Sequence, residues 1–168
     1  MAQTNYEYFE ELGRPQIKFR DFKGRGFEDS GDRPNIGIWI DDMDQVQRMV
    51  DNGWAVKFTE PEDPDEEPRA YIKLKVYWPK NPDYTGPKIM LITDGIQLPM
   101  TPESIGNLDA VDILKVDIKA HWFPYEKGKK TFHCSAIDAL YVTAKEDRLE
   151  RKYRMMQTED DDEEVPFE

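Results

Sequence analysis

Alternating tyrosines and lysines in one segment have the chemistry needed to bind a nucleic-acid single strand. The segment YIKLKVYW, residues 71–78, places polar and apolar side chains at alternate positions. This alternation predicts a β-strand with one buried and one exposed face. Rings on the exposed face offer flat surfaces for bases, and ammonium groups between them meet phosphates. The residues of that face are Tyr71, Lys73, Lys75 and Tyr77. A solvent-exposed face that alternates by chance is the competing interpretation.

The same mixture of rings and basic groups recurs in two other segments. One is a Gly-rich loop after the first predicted strand, and the other is a predicted hairpin at residues 122–132. Three separate patches of one composition favour a common groove that forms when the chain folds. The predicted nucleic-acid-binding residues are Arg25, Phe27, Arg33, Trp39, Tyr71, Lys73, Lys75, Tyr77, Trp78, Trp122, Tyr125, Lys127, Lys129 and Lys130.

The last ten residues, EDDDEEVPFE, contain seven acids and no base. An acidic run of this kind is usually a solubilising end. A ring at the end of an acidic segment can also anchor in a partner's pocket, which makes Val165 and Phe167 the predicted partner-binding residues. The same segment could instead occupy the protein's own basic groove. The predicted organisation is a nucleic-acid-binding domain at residues 1–156 and an acidic, disordered tail at residues 157–168.

The net charge of −12 is concentrated in two short segments. Residues 60–69 hold six acids and one base, and residues 159–168 hold seven acids. The remaining chain has 22 acids and 22 bases, so the acidic composition does not exclude a polyanionic partner. The chain has no apolar run of about 18 residues, which predicts no membrane span. The single Cys134 excludes an intramolecular disulfide and favours a cytoplasmic location.

The clearest helix signal lies between Asp41 and Gly53. Asp41 or Asp42 can cap its N-terminus, and Asn52-Gly53 ends it. The acidic, proline-rich stretch at residues 60–68 is predicted to be a loop. Counting all elements gives about seven strands and three short helices. Many short strands with variable loops favour a mainly β fold, a closed or nearly closed antiparallel barrel.

Five further segment predictions are specific enough for a structure to test. Residues 1–15 are predicted as an arm or early helix, residues 124–130 as a hairpin loop and residues 144–156 as a charged helix. Ile17 and Phe19 are expected on one face of the first strand, opposite Phe22. In a strand at residues 111–122, the expected inward-facing residues are Leu114, Val116, Ile118 and Ala120.

Catalytic interpretations of the sequence are weaker. Asp41, Asp42 and Asp44 could hold Mg²⁺ in a metal-dependent nuclease, but acids at a helix start more often cap the helix. His121, His133 and Cys134 lack the number and spacing of zinc ligands, and a strand cysteine is more often buried than nucleophilic. We therefore predict no enzyme activity, no metal and no cofactor. A protein-interaction module without nucleic-acid affinity remains the other alternative.

Six stretches together resemble a bacteriophage-type single-stranded DNA-binding protein. They are GDRPNIGIWI (31–40), DNGWAVKF (51–58), YIKLKVYW (71–78), PKIMLIT (87–93), LDAVDILKVDIKAHWF (108–123) and ALYVTAKEDRLERKY (139–153). The resemblance implies an OB-fold that coats single-stranded DNA (ssDNA) in phage-type replication and recombination, in the host cytoplasm. It also implies replication or recombination partners recruited through an acidic tail with a terminal Phe. In this chain Glu168 follows Phe167, and a helix between two early strands departs from the simplest OB topology. Oligomeric state is left open.

Overall fold

The structure is a computed structural model that describes residues 6–24, 33–81 and 83–145. Over these residues the chain forms nine strands, one α-helix and two 3₁₀ turns. The strands are β1 (Tyr6–Leu12), β2 (Ile17–Asp21), β3 (Asn35–Ile40), β4 (Lys57–Phe58), β5 (Ala70–Lys75), β6 (Lys88–Thr93), β7 (Ile96–Pro99), β8 (Asp112–Lys127) and β9 (Lys130–Lys145). The helix α1 is Met43–Asp51, and the 3₁₀ turns are Arg14–Gln16 and Ile105–Asp109.

The strands form one sheet in the order β1-β8-β9-β5-β3-β2. β4 pairs with β5, β6 pairs with β7 and β9, and the β5–β9 and β6–β9 pairings are parallel. β1 and β2 end this order without pairing to each other, but the turn Arg14–Gln16 joins them and contacts both β3 and β8. One continuous segment therefore spans the opening between the sheet edges. This partly open barrel is the arrangement of an OB-fold, so the mainly β, OB-like prediction is confirmed. The helix between β3 and β5 is the expected addition.

The core fills the inner side of the curved sheet. Ile36 and Ile38 of β3, Leu74 of β5 and Leu140 of β9 are fully buried. The helix adds Val46 and Met49 to this core. Asp42 caps α1, because its carboxylate accepts hydrogen bonds from the backbone N–H groups of Asp44 and Gln45. The predicted helix is thus present, with Val46 and Met49 facing the core but Met43 and Val50 exposed, and the predicted strand is present as β5, which ends at Lys75.

The first described residues form a strand and not a helix. In β1, Glu7 and Phe9 are buried and their neighbours are exposed, which is the period of a strand. The buried Glu7 is paired with Arg48 of α1. The sequence did not indicate that Glu7 could be buried in a strand, because its partner Arg48 lies 41 residues away.

Two bulges reverse faces that simple alternation assigned. A register shift between Ile113 and Lys115 buries Ile113 and leaves Leu114 56% exposed, although Leu114 was predicted inward. A second shift, in β2, separates Ile17, which pairs with the buried Ile38, from Phe19, which pairs with Gly37 on the outer face. Phe19 and the buried Phe22 lie on opposite faces, as predicted. A bulge adds one residue to a strand, so every later side chain changes face.

The predicted hairpin loop at residues 124–130 is mostly strand. β8 and β9 remain paired as far as Lys127 and Lys130, and only a two-residue turn at Gly128 and Lys129 joins them. Gly128 has φ +65°, a conformation that glycine adopts without steric cost. At the other end, Ala144 and Lys145 continue β9, and the rest of the predicted 144–156 helix lies outside the described residues. The sequence also did not predict β7, which follows a turn at Asp94-Gly95.

Candidate nucleic-acid interface

The outer faces of β3 and β5 carry the predicted ring and lysine row. The pairing places Trp39 opposite Tyr71, Gly37 opposite Lys73 and Asn35 opposite Lys75. The Trp39 and Tyr71 rings meet edge to face, with centroids 5.8 Å apart. Tyr71, Lys73, Lys75 and Tyr77 are half-buried and alternate with the buried residues of β5.

A glycine in β3 lets a third ring join Trp39 and Tyr71. A Cβ at Gly37 would lie 2.3 Å from the ring of Phe19, so the Phe19 ring lies across the β3 backbone at this point. The Lys18 ammonium is 4.8 Å from the Tyr71 ring centroid and 5.4 Å from those of Trp39 and Phe19. These distances are typical of cation–π contacts, so one lysine is shared by three rings.

An ion pair borders this ring cluster. The Arg69 guanidinium lies 4.3 Å from the Trp39 ring centroid. Its Nε and Nη2 donate to the two carboxylate oxygens of Asp41 at 2.8 and 2.9 Å. The hydrogen bonds from Arg69 lower the pKa of Asp41, and the same bonds raise the pKa of Arg69. The pair therefore stays charged and holds the guanidinium over the Trp39 ring.

The opposite end of the row has its own pair of rings. Beyond Lys75 the chain still runs beside β3, because the Val76 N–H donates to the Pro34 carbonyl at 2.8 Å. The Tyr77 ring meets the Phe123 ring edge to face, 5.3 Å between centroids. The Arg33 guanidinium lies 4.5 Å from the Tyr77 centroid. Phe123 in turn lies 6.1 Å from His121 of β8.

The paired ends of β8 and β9, residues 121–136, form a ribbon with two different faces. Its first face carries the side chains in register with Phe123: the pairs Tyr125–Phe132 and Lys127–Lys130 follow toward the tip. Tyr125 is 52% and Phe132 49% exposed. Successive side chains of a strand alternate between faces, so these rings and lysines continue from the Tyr77–Phe123 contact. We call this the ribbon face.

The second face of the ribbon packs on the body of the protein. Trp122 stacks on His133 with centroids 4.4 Å apart. A Cβ at Gly53 would lie 2.8 Å from the Trp122 ring, and His133 Nδ1 hydrogen-bonds the Gly53 carbonyl. Trp122 is half-buried against the core, on the opposite side of β8 from Phe123. The structure thus separates Trp122 from the other predicted contact residues, and alternation along β8 would have shown this.

We define the stacking face as the rings of Phe19, Trp39, Tyr71, Tyr77 and Phe123 together with Lys73 and Lys75. It contains four predicted contact residues besides Trp39, and Arg33 lies at its edge. Trp78 is partly buried against the core beside Tyr77. Lys127, Lys129 and Lys130 are exposed at the ribbon tip. The sequence did not indicate Phe19, Lys18 or Arg69 as members of this surface, and it indicated Phe123 only as part of the ring and lysine patch at residues 122–132. Arg25, Phe27, Val165 and Phe167 lie outside the described residues.

Two of the three aspartates considered for catalysis have structural partners, and Asp44 is exposed in the first turn of α1. Asp41 is paired with Arg69 through both oxygens, and Asp42 caps α1. Over the described ranges, no group of three or more His, Cys, Asp and Glu residues is arranged to hold a metal ion. Cys134 is half-buried in the ribbon, opposite Phe123. None of the helices in the described part of the chain is long and apolar enough to cross a membrane.

Comparison with known proteins decides the family. The sequence model of the family described as "Putative phage ssDNA-binding domain" matches residues 1–166. The chain belongs to this phage ssDNA-binding family. Its function is accordingly to bind single-stranded DNA, and the function inferred from the ring and lysine row is confirmed at that level. No curated protein matches the chain.

One solved structure supports the fold, and two others are reported for comparison. The ssDNA-binding protein of bacteriophage Enc34, solved in complex with ssDNA, is 12% identical with a TM-score of 0.50, covering 85% of this chain and 88% of that one. A C-terminal truncation of the same phage protein is 12% identical with a TM-score of 0.49, covering 85% and 87%. The ssDNA-binding protein gp2.5 of bacteriophage T7 is 11% identical with a TM-score of 0.34, covering 85% and 93%.

Proposed function

We propose that this protein coats single-stranded DNA during phage-type replication and recombination, and that the strand lies along the stacking face and the ribbon face. The observation that carries the proposal is the row in β5. Two ring pairs, Trp39–Tyr71 and Tyr77–Phe123, lie at its ends, and Lys73 and Lys75 lie between them. Six residue steps along an extended strand span about 20 Å, which is room for several nucleotides.

The row supports binding that does not depend strongly on sequence. Every base has a flat face, and stacking on an aromatic side chain is worth about 1–3 kcal/mol per base. Lysine ammonium groups meet phosphates as point charges and do not read base edges. The ribbon face extends the row with Tyr125, Phe132 and the tip lysines, in the place where OB-folds contact oligonucleotides through the loop between their last two strands.

The protein is proposed to act by binding alone, without cleaving the strand. The Asp41 and Asp42 carboxylates that a nuclease would need are used by Arg69 and by the start of α1. Incubation of an end-labelled oligonucleotide with the protein, Mg²⁺ and Mn²⁺ should leave its length unchanged on a denaturing gel. Cleavage that is lost in Asp42→Ala would contradict the proposal.

The proposed role also includes the tail and the compartment. The acidic residues 159–168 are proposed to recruit replication or recombination proteins, or to compete with DNA for the basic surface, and the host cytoplasm is the proposed site of action. The support is the composition of the tail, with seven acids and a terminal Val-Pro-Phe-Glu.

Tryptophan fluorescence tests the proposed surface directly. Trp39 is the one tryptophan of the described stacking face, whereas Trp54 is buried and Trp122 packs on His133. Titration with oligothymidine at low salt should quench the fluorescence, and rising salt should weaken binding. Trp39→Phe should remove part of the quenching and leave the part that arises from Trp78 beside Tyr77, and the mobility shift should remain. Quenching that persists in Trp39→Phe and disappears in Trp122→Phe would show that the strand uses another face.

A further inference from the structure

A cavity lies where the stacking face meets the ribbon. It has a volume of about 330 Å³ and is lined by Tyr77, Trp78, His121, Phe123, Asp138 and the Gly86 loop. The rings of Tyr77 and Phe123 meet edge to face at this position. Its size is at the lower end of the range for small-molecule pockets, which fits one nucleobase with part of its sugar. We call it the Asp138 pocket.

Asp138 reaches this pocket because of a bulge in β9. Ala120 of β8 pairs with Ile137 and Lys119 pairs with Ala139, so Asp138 is the extra residue and has no partner on β8. A bulge of this kind redirects a side chain without breaking the sheet. The Asp138 Oδ1 lies 2.8 Å from His121 Nδ1, and this contact fixes the orientation of the carboxylate.

Two residues that line the pocket each carry a buried polar atom without a hydrogen-bond partner in the described part of the chain. The second oxygen of Asp138, Oδ2, is buried and has no donor within the described residues. The indole Nε1–H of Trp78, another lining residue, is also buried and has no acceptor there. Buried polar atoms are nearly always paired in folded proteins. An unpaired carboxylate oxygen beside two aromatic rings fits a ligand that is flat and carries an N–H donor.

We propose that the Asp138 pocket holds one base of the bound strand and that the Asp138 carboxylate, whose side chain is 31% exposed, accepts a hydrogen bond from the exocyclic amine of that base. The inference rests on the proposed function, since it requires a strand on the stacking face. It adds a position that discriminates between bases to a surface that otherwise tolerates any sequence. Cytosine, adenine and guanine carry the amine, and thymine does not.

The negative charge of the Asp138 carboxylate determines which part of the nucleotide can enter the Asp138 pocket. A phosphate is repelled by the negative charge of Asp138, so the backbone stays outside with the lysines. Thymine offers only N3–H, which is flanked by two carbonyl oxygens that a carboxylate also repels. In cytosine the amine lies next to the acceptor N3, for which the Trp78 Nε1–H is an available donor. Acceptance of cytosine N4–H by an acidic side chain is an established mode of base recognition.

Paired titrations with oligodeoxycytidine and oligothymidine of equal length test the proposal. The wild-type protein should bind the cytidine strand about tenfold more tightly, the value of one hydrogen bond to a charged group. Asp138→Asn keeps the shape but can leave an amide N–H facing the base, so the preference should disappear or change to thymine. Asp112→Asn is the matched control: it removes the same charge from the far end of β8, where Asp112 pairs with Arg14, and should keep the tenfold preference.

The outcomes separate this inference from the proposed function. Equal affinity of the wild-type protein for both strands, or an unchanged preference in Asp138→Asn, would overturn the pocket and leave the binding function intact. Absence of binding to either strand would overturn the proposed function itself. If Asp138→Asn is not folded by circular dichroism, Trp78→Phe replaces it, because the variant keeps the ring and removes only the Nε1–H. That variant should lower the cytidine preference, and an unaltered preference would count against the pocket.

Discussion

At the residue scale, the ring of Tyr77 should contribute to affinity through its face and not through its hydroxyl. Its centroid lies 5.3 Å from that of Phe123, at the junction of the stacking face and the ribbon face. Tyr77→Ala should weaken oligothymidine binding by about 1–3 kcal/mol, or about 5- to 150-fold, the range for one lost stacking interaction. Tyr77→Phe should bind like the wild-type protein. Affinities from mobility-shift titrations at fixed salt provide the measurement.

A ring outside the proposed surface is the control for Tyr77. Phe58 of β4 is 48% exposed and pairs with Ala70, whose side chain is on the core side of β5. Phe58→Ala removes a similar exposed ring from the other face of the sheet. If it weakens binding as much as Tyr77→Ala does, ring loss acts through stability and the stacking face is not the binding surface.

The Asp41–Arg69 pair makes a pH-dependent contribution to stability. Because hydrogen bonds from Arg69 lower the pKa of Asp41 below its ordinary 3.8, the folded protein favours the charged carboxylate. The contribution is therefore present above pH 3.8 and is lost as the pH falls through the lowered value. Both side chains are partly exposed, so the effect should be small.

The melting temperature of Asp41→Asn should be lower than that of the wild-type protein at pH 6, and the difference should shrink below pH 3.8. A difference that stays constant over this range would show that the pair does not act through its charge.

At the element scale, the sequence predicted those elements whose signals are local. The alternation from Tyr71 to Tyr77 and the Asp42 cap depend on neighbouring residues, and both are present as expected. The faces of Phe19 and Leu114 depend on bulges. These bulges arise from pairing between distant strands, and the residues next to them in the sequence do not indicate them. The stacking face was therefore only half predictable: the β5 row could be found from the sequence, and its contacts with Phe19 and Phe123 could not.

The ribbon is the element whose charge should set the salt dependence of binding. Lys127, Lys129 and Lys130 lie at its exposed tip, beyond the Tyr125–Phe132 pair. Each phosphate contact to a single strand contributes about 0.7 to the slope of log affinity against log salt concentration. Replacing the three lysines by Gln should reduce that slope by up to about 2, measured by fluorescence titration at several salt concentrations. Gln at Lys80, Lys88 and Lys115, which are exposed elsewhere, is the matched control and should change the slope less. Equal slopes for the two triple variants would contradict a role for the ribbon tip.

At the scale of the whole molecule, charge is separated along the chain and over the surface. The acidic loop at residues 60–68 is exposed and leads into Arg69, which borders the ring cluster at Trp39. Phosphates are repelled from this end and attracted by Lys73, Lys75 and the ribbon lysines. The sheet thus has an acidic border at one end of the stacking face and a basic tip beyond the other, and this charge separation would orient a polyanion along the proposed row.

The acidic tail should weaken DNA binding of the full-length chain by competing for the same basic groups. Removing residues 159–168 takes away seven negative charges, so the truncated chain should bind oligothymidine several-fold more tightly at low salt. The gain should fade above about 0.3 M salt, because the screening length then falls well below 10 Å. A full-length variant in which Asn and Gln replace the seven acids separates charge from length, and it should behave like the truncated chain. Truncation that leaves affinity unchanged at low salt, measured by fluorescence titration, would rule out competition and leave partner recruitment as the proposed role of the tail.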